Sequence, residues 1–126
     1  MELVMENIIY TKDVCKEYRS GKNRSQVLHD VNIVLKKSSL TLLKGRSGSG
    51  KTTLMNILAT LDEPTTGDVF YKNSSLLGLA GKQKDFFRRR KIAFIFQSIA
   101  LLSHLTAYDN VEFMLRVAKL PVDKAR

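Results

Sequence analysis

Gly45-Arg46-Ser47-Gly48-Ser49-Gly50-Lys51-Thr52 fits the pattern G-x-x-x-x-G-K-[ST], in which a glycine-rich turn cradles phosphate oxygens. Successive backbone N–H groups wrap a dense anion only where no Cβ blocks their approach, and Gly45, Gly48 and Gly50 are expected to give that clearance. Ser47, Gly48, Ser49, Gly50, Lys51, Thr52 and Thr53 are the candidate phosphate contacts. Lys51 supplies a mobile charge for β- and γ-phosphates, and the Thr52 hydroxyl is a hard oxygen donor for Mg²⁺. The flanks agree with the motif. Leu40-Thr41-Leu42-Leu43 is short and apolar, as a buried strand would be. Beyond the loop, Leu54, Ile57, Leu58 and Leu61 share one helix face whose positive end points at the phosphates.

A chain of 126 residues has room for one modest domain. Its 44% hydrophobic and 26% charged content is ordinary for a globular protein. No apolar run is long enough to cross a bilayer, and Glu2 and Glu6 argue against a signal peptide. The single Cys15 excludes an internal disulfide, so a reducing cytoplasm is expected. The formal charge of +9 is compatible with a nucleic-acid surface, an anionic membrane or an absent acidic portion. Its densest cluster, Arg88-Arg89-Arg90-Lys91, ends a predicted helix, where cations complement the dipole and stay solvated. Aromatic residues do not interleave with the basic ones, so no nucleic-acid ligand is expected.

Residues 8–14 and 31–35 read as strands, with a polar, basic loop over 19–26 between them. Residues 64–67 read as a turn, 68–71 as a strand and 82–90 as a helix. Residues 92–96, Ile-Ala-Phe-Ile-Phe, form the apolar run of a parallel strand buried on both faces. Its end delivers Gln97, a side chain able to reach a metal-bound water without adding charge. Thr106-x-x-Asp109 is a capping box, Val111, Met114, Leu115 and Ala118 line one face of the helix it opens, and Pro121 is expected to stop that helix. Tyr18 offers a ring on which adenine can stack. The fold class is therefore α/β with an added β region.

Five stretches together resemble the ATP-binding subunit of ABC transporters: V-x-K-x-Y at 14–18, G-x-S-G-S-G-K-T-T-L at 45–54, L-D-x-P-T-x-G at 61–67, I-A-F-I-F-Q at 92–97 and L-L-x-H-L-T-A-x-x-N-V at 101–111. The last is similar to the group serving lipoprotein, macrolide and peptide export. The resemblance implies a P-loop NTPase (RecA-like) core with an antiparallel β subdomain, incomplete at the C-terminus, so that 1–126 is the N-terminal part of a single ATP-binding domain. It implies ATP and Mg²⁺ as cofactors, Tyr18 stacked on adenine, residues 47–53 on the phosphates, and Thr52 with Gln97 at the Mg²⁺ and the attacking water. It also implies a membrane permease against the stretch bounded by Gln97 and Asn110, a second ATP-binding subunit, and a peripheral place on the cytoplasmic membrane face. Ser103 departs from the family, where a proline is common.

The signature L-S-G-G-Q, an apolar strand ending in an acidic pair and a switch histidine do not occur in these residues. Asp62-Glu63 mimics the acidic pair, but it follows a helix and not a strand, so no general base is expected. His29 and His104 lie in the wrong segments for the switch. A soluble ABC-type ATPase acting on ribosomes or DNA, favoured by the charge, and a non-catalytic nucleotide-binding module are the alternatives.

Overall fold

A single 14-residue strand, β1 (Asn7–Ser20), organises the computed structural model, which describes residues 6–98 and 101–121. All its pairings are antiparallel. Its residues 14–20 meet β2 (Asn23–Val31), its residues 7–10 meet β3 (Val34–Lys36), and its residues 9–15 meet β4 (Thr66–Tyr71), which carries the short β5 (Ser74–Ser75). The expected antiparallel β region is thus present.

Serving two neighbours along one edge requires a break in β1. Asp13 has φ +48°, and the register with β2 slips on both sides of Lys16. Polar side chains satisfy the backbone where the ladder lapses. Asp13 N–H donates to Asn32 Oδ1 at 2.9 Å, and Asn32 Nδ2 donates back to Asp13 Oδ1 at 2.9 Å. The buried Thr11 hydroxyl donates to Val31 O at 2.8 Å and accepts from Ile33 N–H at 3.0 Å. β4 enters against this bend at Gly67, with φ +83°, so close that a Cβ would stand 2.2 Å from Asp13 O.

The chain divides into two compact units, Met1–Lys84 and Asp85–Arg126. The core of the first holds Val14 of β1, Leu28 of β2, Val69 of β4, Leu76, and the apolar side of α1 (Lys51–Leu58) with Leu54, Ile57 and Leu58. Fully burying a side chain such as Ile57 contributes roughly 1.5–3 kcal/mol. Tyr10 and Phe70, directly opposed across β1 and β4, stack at 4.8 Å. A further helix, α2 (Gly81–Lys91), includes the predicted 82–90. In the second unit, α3 (Ala107–Val117) opens on the predicted capping box, with Asp109 N–H donating to Thr106 Oγ1 at 3.1 Å and Thr106 N–H to Asp109 Oδ2 at 3.3 Å.

Several expectations are corrected. Residues 40–43 and 92–96 are not strands: no described strand pairs with either, and a β conformation without a neighbour gains no ladder. Leu40 is 96% and Ile95 95% exposed. The span 19–26 is not a loop but the tip of the β1–β2 hairpin, with Ser20 opposite Asn23 across a Gly21-Lys22 turn. The strand expected over 31–35 is broken at residues 32–33, where Thr11 takes over the hydrogen bonding. Leu61 lies past α1, and Pro121 does not stop α3. Both helices close earlier, each on a left-handed residue, Thr60 (φ +57°) and Lys119 (φ +54°). In each case two N–H groups reach back: Thr60 to Ile57 O and Leu61 to Asn56 O, Lys119 to Arg116 O and Leu120 to Leu115 O, a Schellman closure without glycine. Of the expected apolar face of α3, Val111 and Met114 are exposed while Leu115 and Ala118 are half-buried.

Candidate functional site

The phosphate loop leaves 40–44 and bends sharply into α1. Gly50 is its N-cap at φ +86°, and Leu54 N–H donating to Gly50 O at 2.9 Å starts the helix. Gly50 is buried, and a Cβ there would lie 2.9 Å from both Leu28 Cδ2 and Val27 O of β2. A Cβ on Gly45 would lie 2.6 Å from Ser49 Oγ, within the loop itself. These two glycines therefore clear protein atoms. Only at Gly48 (φ +77°), where a Cβ meets nothing within 4 Å, is the space open, as the sequence reading expected of all three.

The Lys51 ammonium folds back over the loop. Its Nζ donates to Gly45 O at 2.8 Å, Arg46 O at 2.6 Å and Ser49 Oγ at 3.3 Å. All three acceptors are uncharged, so they orient the cation without neutralising it. Ser47, Gly48, Ser49 and Thr52 are exposed and Thr53 is half-buried. The Thr52 hydroxyl stands in the first turn of α1, at the positive end of the helix.

Tyr18 sits in β1 opposite Ser25, two residues along β2 from the Val27 that abuts Gly50. Strand spacings put that separation at roughly 10 Å. Tyr18 is 45% exposed, and its hydroxyl donates to Asp62 Oδ2 at 3.1 Å. Lys16 Nζ stands 5.1 Å from the ring centroid and donates to Asp62 Oδ1 at 2.7 Å and Glu63 O at 2.6 Å. This fastening explains the segment 61–67. It ties the turn after α1 to β1, helped by Thr65 N–H donating to Cys15 O at 2.8 Å and Glu17 N–H to Thr65 Oγ1 at 2.9 Å. Lys16 and Asp62 were not singled out as site residues from the sequence. The signal was present, since each occupies a fixed position of a quoted motif.

Both carboxylates of the mimic pair are committed. Partial burial raises the Asp62 pKa, but hydrogen bonds from Lys16, the Glu63 N–H and Tyr18 outweigh it and hold the carboxyl below its ordinary value. Glu63 is also held low, by its hydrogen bond and charge pairing with Lys84. The two follow the C-terminal end of α1, whereas the phosphate loop precedes its N-terminus, about 12 Å away along an eight-residue helix. Both carboxylates thus lie at the opposite end of α1 from the glycine-rich loop.

Gln97 belongs to the second unit, exposed in a bend after 92–96, so the strand end expected to present it is not formed. Of the stretch bounded by Gln97 and Asn110, residues 99 and 100 lie outside the described residues. Residues 102–106 are pinned by Asn110, whose Nδ2 donates to Leu102 O, Leu105 O and Thr106 O while its Oδ1 accepts from Leu102 N–H at 2.9 Å. His29 and His104 are exposed.

A family model described as ABC transporter matches residues 28–126. An uncharacterized ABC transporter ATP-binding protein of Methanocaldococcus jannaschii, MJ1508, is 39% identical over 83% of this chain and 47% of its own length. The lipoprotein-releasing system ATP-binding protein LolD of Syntrophotalea carbinolica is 38% identical over 94% of this chain and 52% of its own. Among solved structures, a dimeric post-hydrolysis state of the ATP-binding cassette MJ0796, bound to ADP and Pi, superposes with a TM-score of 0.81 at 37% identity, covering 88% of this chain and 48% of that one. The chain spans about half the length of these relatives.

Proposed function

The chain belongs to the ABC transporter family, and on that footing we propose that it grips ATP and Mg²⁺ as the N-terminal part, 1–126, of an ATP-binding domain. The observation that carries this reading is the Lys51 ammonium held across the loop on uncharged acceptors of Gly45, Arg46 and Ser49, a cation whose charge these acceptors do not neutralise. Residues 47–53 face the phosphates, and Tyr18 stacks on the base. Thr52 is the Mg²⁺ ligand, an exposed hydroxyl of the kind this hard cation takes, joined in the whole protein by Gln97. Bound there, Mg²⁺ offsets phosphate charge.

In the whole protein, ATP hydrolysis drives a membrane permease docked on the stretch bounded by Gln97 and Asn110, with a second ATP-binding subunit alongside, at the cytoplasmic membrane face. No described helix is long and apolar enough to cross a membrane. These 126 residues bind nucleotide without turning it over, because the two carboxylates nearest in sequence to the loop are spent on lysines. Calorimetry with ATP·Mg²⁺ and a phosphate-release assay test this together. Binding without steady release is the expected result, and release that vanishes in Lys51→Ala would overturn it and put Glu63 to the test as a base.

A further inference from the structure

We propose that Asp62 and Lys16 are positioning residues for the nucleotide base, holding the Tyr18 ring at a fixed angle with only one face open. The inference rests on the reading of Tyr18 as the adenine platform. A tyrosine at a strand end turns freely about two side-chain torsions, and a ring that must be ordered on binding loses affinity for that ordering. Here the ring is ordered beforehand at two points. Its hydroxyl is fixed to Asp62 Oδ2 at 3.1 Å, and the Lys16 ammonium stands 5.1 Å from its centroid.

The two anchors are themselves one assembly. Lys16 Nζ donates to Asp62 Oδ1 and Glu63 O, and Asp62 Oδ1 also accepts from Glu63 N–H at 2.7 Å. The carboxylate therefore divides its work, one oxygen for the cation and backbone, the other for the phenol. The ammonium is mostly buried, its side chain 12% exposed, so a solvent-driven rotamer change is hindered. A cation over one π-face and a base on the other use the ring quadrupole from opposite sides. The turn that ends α1 thereby sets the base platform, while the start of the same helix carries the phosphate loop. Base and phosphate recognition share one rigid element, which fixes their separation.

The test compares ATP with inorganic tripolyphosphate, which lacks a base, by calorimetry on the 126-residue chain. Tyr18→Phe keeps the ring and removes only the anchor. It is expected to weaken ATP by about threefold to tenfold and leave tripolyphosphate unchanged. Asp62→Ala is expected to weaken ATP at least as much, because it also releases Lys16, and the double variant to lose no more than Asp62→Ala alone, since the Tyr18–Asp62 bond is already gone in that variant. Wild-type ATP affinity in Tyr18→Phe, with weak binding in Tyr18→Ala, would overturn the positioning role and leave stacking intact. Unchanged ATP affinity in Tyr18→Ala would instead remove the stacking reading beneath it. If Asp62→Ala weakened both ligands alike, Asp62 would serve the architecture of the turn and the proposal would fail.

Discussion

Replacing Lys51 with alanine separates phosphate recognition from stability, because the structure shows what the ammonium does before any nucleotide arrives. Its three hydrogen bonds, at 2.8, 2.6 and 3.3 Å, run to exposed acceptors that water can serve equally well. Losing them is expected to change the unfolding free energy by less than about 0.5 kcal/mol. Binding is different. A charge-assisted contact to phosphate is worth roughly 1.5–3 kcal/mol, and part of that is returned because the lysine must release its loop acceptors. The net loss for ATP is about 1.4–2.7 kcal/mol, a ten- to hundredfold weaker dissociation constant. AMP, without β- and γ-phosphates, is expected to change by no more than about twofold. The assay is calorimetry with both nucleotides on samples whose thermal unfolding has been matched. Equal losses for ATP and AMP, or none for ATP, would refute the assignment of Lys51 to the outer phosphates.

Gly67→Ala is expected to destabilise the first unit by about 4 kcal/mol or more, read by urea denaturation, because positive φ adds to a Cβ held 2.2 Å from Asp13 O between backbones that cannot yield. A change below about 2 kcal/mol would mean that β1 and β4 are not locked as described. Lys119→Gly is expected to stabilise α3 by up to about 1 kcal/mol by relieving the left-handed strain at its Schellman closure, seen as a raised unfolding midpoint. Since the Asp62 carboxyl is held below its unfolded value near 3.8, its stabilisation is complete above that value and is lost as pH falls through the folded pKa. The stability gap between the unaltered chain and Asp62→Ala should therefore stay flat from about pH 5 to 8 and close below about pH 4, measured by denaturant titration at each pH.

The sequence made legible whatever depends on local chemistry. The glycine-rich turn, the start of α1, the Thr106 capping box and β4 follow from residue types at fixed offsets. The misread elements depend on partners. Residues 40–43 and 92–96 carry strand composition, but a strand exists only with a neighbour, and composition says nothing of whether one is at hand. The β1–β2 hairpin tip was hidden because Asn23, Arg24, Ser25 and Gln26 are polar on both faces, which erases the alternation that marks a half-buried strand. The helix ends were hidden because Thr60 and Lys119 occupy a position where glycine is the usual signal. Tyr18 was identified by motif, while its dependence on Lys16 and Asp62, 44 residues distant, required the fold.

The pairing of β1 with β4 has a consequence for the order in which the molecule assembles. The β1–β2 hairpin closes a two-residue turn, whereas Tyr10 and Phe70 must find each other across the 60 residues that separate them. Chain closure over that span costs about 3.6 kcal/mol beyond a constant, against roughly 1 kcal/mol for the hairpin. The hairpin therefore forms early and offers a bare edge, and β4 seats on it later. The whole phosphate loop lies inside the span that the later event closes. The proposed nucleotide site thus waits on a long-range pairing that involves none of the residues proposed to touch phosphate, and a substitution that delays β4 delays the site.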